Sequence, residues 1–155
     1  MAYGGPMDVA EWLGMVVNQR YQIYAKKLSR NDTQATGAHQ AGVYVPKRII
    51  FAAFPAVNAP SIENPDAQIR ASIDSHGLPP TGCRVIWYNN ILFDKTRDEA
   101  RVTCWGGLGS PLQYPLNAGT IACFAFSANR IPECRVWLCR NAREAAFITH
   151  NVRLG

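Results

Sequence analysis

Two segments of the chain carry side chains whose chemistry suits the reading of nucleobases. The first segment, residues 30–44, is a long polar stretch, and the second segment, residues 94–101, packs three cations and three anions into eight residues. Arg can donate two hydrogen bonds to guanine N7 and O6, while Glu or Asp can accept one from cytosine N4. A segment with both charges can therefore address both bases of a G·C pair.

The candidate contacts combine several polar residue types. In the first segment they are Arg30, Asn31, Asp32, Thr33, Gln34, His39, Gln40 and Tyr44, and in the second they are Lys95, Arg97, Asp98, Glu99 and Arg101. Asn and Gln suit adenine and other base edges, and His or Tyr can add phosphate or base contacts. The alternative is a solvated hairpin whose charges cancel each other, and composition alone favours that alternative.

Signatures of catalysis are missing from the sequence. It has no Gly-x-x-x-x-Gly-Lys loop, no Gly-x-Ser-x-Gly elbow and no His-Glu-x-x-His helix. A metal-dependent nuclease needs an Asp/Glu-x-Lys triplet, and none of the 11 acidic residues has Lys two positions later. The nearest imitation, residues 133–135, ends in Arg, which cannot deprotonate to act as a base. We therefore expect no active site in this chain.

The cysteines and histidines do not form a metal-binding pattern. Five Cys residues are spread without a Cys-x-x-Cys pair, and the three His residues are scattered. A zinc site needs clustered ligands. Because Cys104, Cys123 and Cys139 lie in apolar stretches, we interpret them as small core residues, and we expect neither a metal nor a disulfide framework.

The charge balance makes an acidic partner plausible. The net charge is +5, and the 16 basic residues divide into 12 Arg and 4 Lys. Arg carries a rigid fork that pairs two acceptors at once, as phosphates and guanine edges require. A codon-driven Arg bias in a GC-rich genome would give the same composition. Five further basic residues could contact phosphates, but ordinary surface charge explains each of them at least as well: Arg20, Arg70, Arg84, Lys47 and Arg48.

These side chains must be positioned by helices and strands. The pattern of predicted helices and strands indicates one mainly β domain of mixed, barrel-like architecture. At 155 residues we expect a flexible leader over residues 1–7 and a single domain over 8–155. Apolar spacing predicts a helix over about 8–19, with Asp8 as N-cap, and a second over 47–54 after Pro46. About seven short strands are expected at 21–29, 42–45, 67–75, 83–89, 100–105, 119–127 and 134–140.

No apolar run is long enough to span a bilayer, so we expect a soluble protein inside the cell. For Trp87, Trp105 and Trp137, which lie on strand-like segments, core packing is favoured over base stacking. Trp105 is nevertheless kept as a candidate DNA contact.

Four stretches resemble the N-terminal effector-binding domain of EcoRII-type restriction endonucleases: residues 31–46, 95–101, 105–106 and 109–113. The similarity extends at lower density over residues 12–137. The resemblance implies a DNA-binding pseudobarrel similar to plant B3 domains, in which two loop arms grip the major groove and recognise CC(A/T)GG. It places His39 and Tyr44 on the first arm and Lys95, Arg97, Glu99 and Arg101 on the second. Ala100 departs from the pattern, which has a basic residue there, so one phosphate contact is expected to be missing.

The resemblance also implies partners and regulation. In such enzymes a separate C-terminal nuclease domain, which uses Mg²⁺, cuts DNA, and the N-terminal domain binds another copy of the site and regulates cleavage. For this chain we therefore expect double-stranded DNA as partner, a monomeric DNA-binding unit, no cofactor, no membrane contact and a location in the bacterial cytoplasm. A B3-like transcription factor with another target and a small nuclease remain as alternatives.

Overall fold

The fold is taken from a computed structural model that describes residues 7–33, 42–103, 110–129 and 131–155. In these ranges the strands are β1 (Gln22–Lys27), β2 (Gly42–Val45), β3 (Asp66–Ile73), β4 (Thr81–Tyr88), β5 (Glu99–Thr103), β6 (Ile121–Ser127) and β7 (Glu133–Leu138). The α-helices of the same ranges are α1 (Val9–Asn18), α2 (Lys47–Ala53) and α3 (Ala142–Asn151).

The seven strands of the described ranges form a single sheet in the order β1-β6-β7-β3-β4-β5-β2. Its neighbours pair antiparallel, except that β3 and β7 run parallel. The sheet curls until its two edge strands approach each other, where Lys26 Nζ on β1 donates to the Tyr44 carbonyl of β2 at 3.2 Å. This nearly closed, mainly β architecture confirms the predicted B3-like pseudobarrel.

Two apolar clusters hold the barrel together, one on each side of the sheet. Inside, alternate residues of the strands bury side chains such as Phe124, Phe126 and Val102. Outside, α1 and α3 cover β1, β6 and β7, where Trp12 and Trp137 pack with ring centroids 5.9 Å apart. The helices therefore cover the outer face of β1, β6 and β7, while the outer face of β5 and β2 carries Glu99, Arg101 and Tyr44.

The predicted helices have the expected boundaries within one or two residues. Asp8 caps α1 by accepting from the Glu11 amide at 2.8 Å, as the sequence predicts. α2 ends at Ala53 because Pro55 disfavours helical backbone in the residue before it.

The prediction of two helices was wrong for the described ranges, because α3 is a third. Its signal was present in the sequence: Asn141 accepts from the Glu144 amide at 2.9 Å, so an N-cap residue and an acidic third position precede an alanine-rich stretch.

The side chains interpreted as core residues are buried where the structure describes them. Cys123, Cys139, Trp87 and Trp137 are all buried, which confirms their predicted packing, whereas Cys104 lies outside the described residues. Among the residues that the structure describes, no group of three or more His, Cys, Asp or Glu side chains could hold a metal ion. In those ranges, too, each helix is too short or too polar to cross a membrane.

Candidate nucleic-acid interface

The sheet register brings the two predicted segments side by side. Tyr44 on β2 lies directly opposite Arg101 on β5, so the end of the first segment and the end of the second share one surface. We call the outer face of β2 and β5, together with Arg97 and Tyr88, the polar face. Directly opposite residues on antiparallel strands lie about 5 Å apart, close enough for long side chains to act together.

The alternation of β5 decides which residues of the second segment reach the polar face. Glu99 and Arg101 point outward and are partly exposed, while Ala100 and Val102 are fully buried in the barrel. Arg101 lies on a strand, as the predicted strand 100–105 required, and Glu99, predicted only on the loop arm, opens the same strand, because polar and apolar residues alternate here with period two. Ala100 faces the core, so the expected loss of a phosphate contact there does not follow from its position.

One carboxylate holds both cations of the polar face. Glu99 accepts from Arg97 Nε at 2.5 Å and lies 3.1 Å from an Arg101 terminal nitrogen. Burial opposes the charge on Glu99, but the bonds from Arg97 and Arg101 outweigh it and lower the pKa of this carboxyl below its ordinary value. The cluster therefore keeps one negative and two positive charges near neutral pH and has a net charge of +1.

Tyr88 orients the Arg97 side chain. The guanidinium carbon of Arg97 lies 3.6 Å from the centroid of the Tyr88 ring, which is a close cation–π contact. The bond to Glu99 uses Nε, and no bond from either terminal nitrogen of Arg97 is recorded among the described residues. Tyr88 was not among the predicted site residues, because it lies on β4, opposite Glu99 in the register.

Arg101 is held by the neighbouring strand. One terminal nitrogen donates to the Gly42 carbonyl at 2.8 Å, and Nε is buried without a hydrogen-bond partner among the described residues. Gly42 allows this close approach, since a Cβ there would come within 2.9 Å of the Thr103 methyl group. A buried donor without a partner in the free protein is suited to a ligand that supplies an acceptor.

The rest of the second segment is braced against two other parts of the fold. Asp98 accepts from Lys47 Nζ on α2 and from Trp87 Nε1, each at 2.8 Å. These bonds, from Lys47 first and then from Trp87, lower the pKa of Asp98. Lys95 pairs with Glu63 at 3.1 Å and is mostly exposed. Lys95 and Asp98 therefore make ion pairs with residues outside the polar face.

The first segment begins with two exposed and two buried candidates. Arg30 and Asn31 are exposed, whereas Asp32 and Thr33 are buried. Asp32 pairs with Lys26 at 2.7 Å, and the Thr33 hydroxyl donates to the Arg30 carbonyl at 3.2 Å. Their positions favour a role in support of the segment over the direct DNA contact predicted for them. Four further candidates lie outside the described residues: Gln34, His39, Gln40 and Trp105.

Comparison with known proteins gives two matches of wide coverage. The family described as "Restriction endonuclease EcoRII, N-terminal" matches residues 17–153. The type II restriction enzyme EcoRII of Escherichia coli is 34% identical over 141 residues, which cover 88% of this chain and 35% of that enzyme. The chain thus spans about a third of the length of this relative.

Proposed function

Because the chain belongs to the family of N-terminal domains of the restriction endonuclease EcoRII, we propose that it is a sequence-specific module for double-stranded DNA. The polar face supports this proposal with the mixture of donors and acceptors that base reading needs. Arg97 and Arg101 supply donors, and Glu99 supplies an acceptor. A surface that only neutralised phosphates would have no use for a carboxylate at its centre.

We propose CC(A/T)GG as the target, read in the major groove. In this mechanism the guanidinium groups of Arg97 and Arg101 donate to guanine N7 and O6, and Glu99 accepts from cytosine N4 of the same base pair. Tyr44, which is 39% exposed, adds a base or phosphate contact beside Arg101. The site tolerates either A·T or T·A as its central base pair if neither segment makes a base-specific bond to that pair.

The single observation that carries the proposal is the direct pairing of Tyr44 with Arg101 across β2 and β5. It joins two chemically different segments into one surface on one chain. A target that is symmetric except at its centre can then be read by a monomer, which has no two-fold axis, if each segment takes one half-site. The DNA-binding unit is accordingly proposed to be a single chain.

The module is proposed to regulate a restriction enzyme without catalysing cleavage itself. Cleavage would belong to a separate C-terminal nuclease domain that uses Mg²⁺, with this domain bound to a second copy of the site as effector. This domain needs no cofactor in that scheme, and both parts would act in the bacterial cytoplasm.

Selection from a pool of random duplexes tests the proposed target. The pure chain is expected to enrich duplexes containing CC(A/T)GG over several rounds. Enrichment of another motif would instead indicate a B3-like binder with a different target, and a pool that stays random would contradict sequence-specific binding. Incubation of the same preparation with Mg²⁺ and a plasmid that bears the site should leave the plasmid intact, since cleavage would identify a nuclease.

A further inference from the structure

A buried ion pair lies at the seam where the edges of the barrel meet. Lys26 on β1 and Asp32 in the first segment are 2.7 Å apart, and their side chains are 9% and 1% exposed. A charged pair at this depth loses much of its hydration, so its retention needs good geometry and further hydrogen bonds. Those bonds are present, since Asp32 also accepts from the Ser29 amide at 2.8 Å.

The remaining bonds of the pair converge on Tyr44. Asp32 Oδ1 accepts from the Tyr44 amide at 3.1 Å, and Lys26 Nζ donates to the Tyr44 carbonyl at 3.2 Å. The same ammonium group lies 5.4 Å from the centroid of the Tyr44 ring. Both backbone groups of Tyr44, and one face of its ring, are therefore fixed by two side chains from outside β2.

Burial and the mutual bond shift the pKa values of both members of the pair. Burial opposes the charge on Asp32, but the bonds from Lys26, Ser29 and Tyr44 outweigh it and lower the pKa of the carboxyl. Burial also lowers the pKa of Lys26, and the bond to Asp32 partly offsets this change. Because Asp32 and Lys26 form an ion pair, their bonds to Tyr44, 3.1 Å and 3.2 Å long, each involve a charged group, which strengthens them relative to bonds between neutral groups at the same distance.

We infer that Lys26 and Asp32 are positioning residues for target recognition, which fix Tyr44 beside Arg101 so that the polar face presents one rigid pattern to DNA. The inference rests on the proposed function. Recognition by side chains requires their support to hold them within about half an ångström of the productive geometry. Without the pair, β2 keeps its backbone pairing with β5. It loses the bonds that connect Tyr44 to Lys26 on β1 and to Asp32.

Three variants separate positioning from stability. Asp32→Ala removes the acceptor of Tyr44, and the double variant Lys26→Met with Asp32→Leu replaces the pair by an apolar contact of similar volume, which commonly restores stability. Glu144→Ala is the matched control, because its side chain is also 1% exposed and pairs with a cation, Arg140, on the helical face. Dissociation constants are measured for duplexes with CC(A/T)GG and with the same bases scrambled, at a temperature at which each variant is folded.

We expect wild type and Glu144→Ala to discriminate equally between the two duplexes. Asp32→Ala and the double variant should lose about tenfold of that discrimination, the size of one base contact. Their Tyr44 amide should also exchange its hydrogen faster than in the control. Full discrimination in the folded double variant would overturn the inference, as would an unchanged Tyr44 exchange rate. If wild type itself fails to discriminate, the proposed function fails instead.

Discussion

At the scale of single residues, the polar face depends on Glu99, whose two carboxylate oxygens contact different arginines. In the free protein the carboxylate is shared by Arg97 and Arg101. Arg97 uses only its Nε–H group for the bond to Glu99. Its two terminal nitrogens match the two acceptors of a guanine edge, so the residue can bind without breaking its support.

Loss of either partner should therefore weaken specific binding selectively. We expect Arg97→Ala or Glu99→Ala to cost about 1–3 kcal/mol on a CC(A/T)GG duplex and much less on random DNA. Fluorescence anisotropy with both duplexes at one salt concentration measures the difference. Equal losses on the two duplexes would mean that these side chains contact phosphates.

Tyr88 should act through its ring and not through its hydroxyl. Tyr88→Ala removes the surface on which Arg97 stacks, and we expect it to weaken binding of the CC(A/T)GG duplex by about 0.5–1 kcal/mol. Tyr88→Phe keeps the ring and should bind like wild type in the same titration. A Phe variant as weak as the Ala variant would assign the effect to the hydroxyl group and refute the stacking argument.

The sequence predicted some residues of the polar face and could not predict others. Arg97, Glu99 and Arg101 stand in one short charged stretch and were predicted as base contacts from their residue types and from the family resemblance, although composition alone favoured a solvated hairpin. Tyr88 meets Arg97 only through the β4–β5 register, which local sequence does not encode. Asp32 lies in a polar stretch that indicates solvent exposure, and its burial depends on Lys26 across the seam.

At the scale of elements, the connection between β4 and β5 is anchored to α2. Asp98 joins Lys47 on the helix to Trp87 in the barrel wall, so the second segment cannot move without breaking a bond to a buried indole. Trp87 is 7% exposed, and a buried donor left without an acceptor is costly.

Asp98 should stabilise the protein in a pH-dependent way. We expect Asp98→Ala to lower the free energy of unfolding by about 1–2 kcal/mol at pH 7, because Trp87 Nε1 loses its acceptor. The folded-state pKa of Asp98 lies below the ordinary value of 3.8. Its charge-dependent contribution is therefore complete well above pH 3.8 and is lost as the pH falls through the lower folded-state value.

Urea denaturation of wild type and Asp98→Ala at pH 7 and at pH 3 measures this contribution. The difference between the two proteins should be smaller at pH 3. Asp94→Asn is the control, because Asp94 is exposed and Asn tolerates its positive φ of 61°. If the difference in free energy of unfolding between the two proteins were the same at both pH values, the charge of Asp98 would not contribute to stability.

Local pattern predicted the strands well and their arrangement poorly. Apolar patterning located the seven described strands within about two residues of their ends, by alternation where one face is buried, as in β5, and by a continuous apolar run in β6, which is buried on both faces. The pairing of β3 with β7 joins residues more than 60 positions apart, and no local pattern specifies such a partner. The helix α3 was missed although its cap was readable, as Asn141 and Glu144 show.

At the scale of the whole molecule, the barrel separates the packed helical face from the proposed DNA-binding face. Helices α1 and α3 close one outer face over an apolar cluster, while the polar face lies on β2 and β5. Because both segments belong to one chain, we expect one protein chain per CC(A/T)GG site. Sedimentation equilibrium with a duplex that carries a single site should give a 1:1 complex, and a stable 2:1 complex would show that the two half-sites need two chains.

The most direct measurement is an NMR titration of the arginine Nε–Hε signals with a CC(A/T)GG duplex. The polar face predicts large, saturating shifts for Arg97 and Arg101, with little change for Arg140, which pairs with Glu144 on the helical face. A scrambled duplex should leave the signals of Arg97 and Arg101 close to their free positions at the same concentration. Shifts confined to Arg140 and its neighbours, with Arg97 and Arg101 unchanged, would place the DNA on the opposite face and contradict the account.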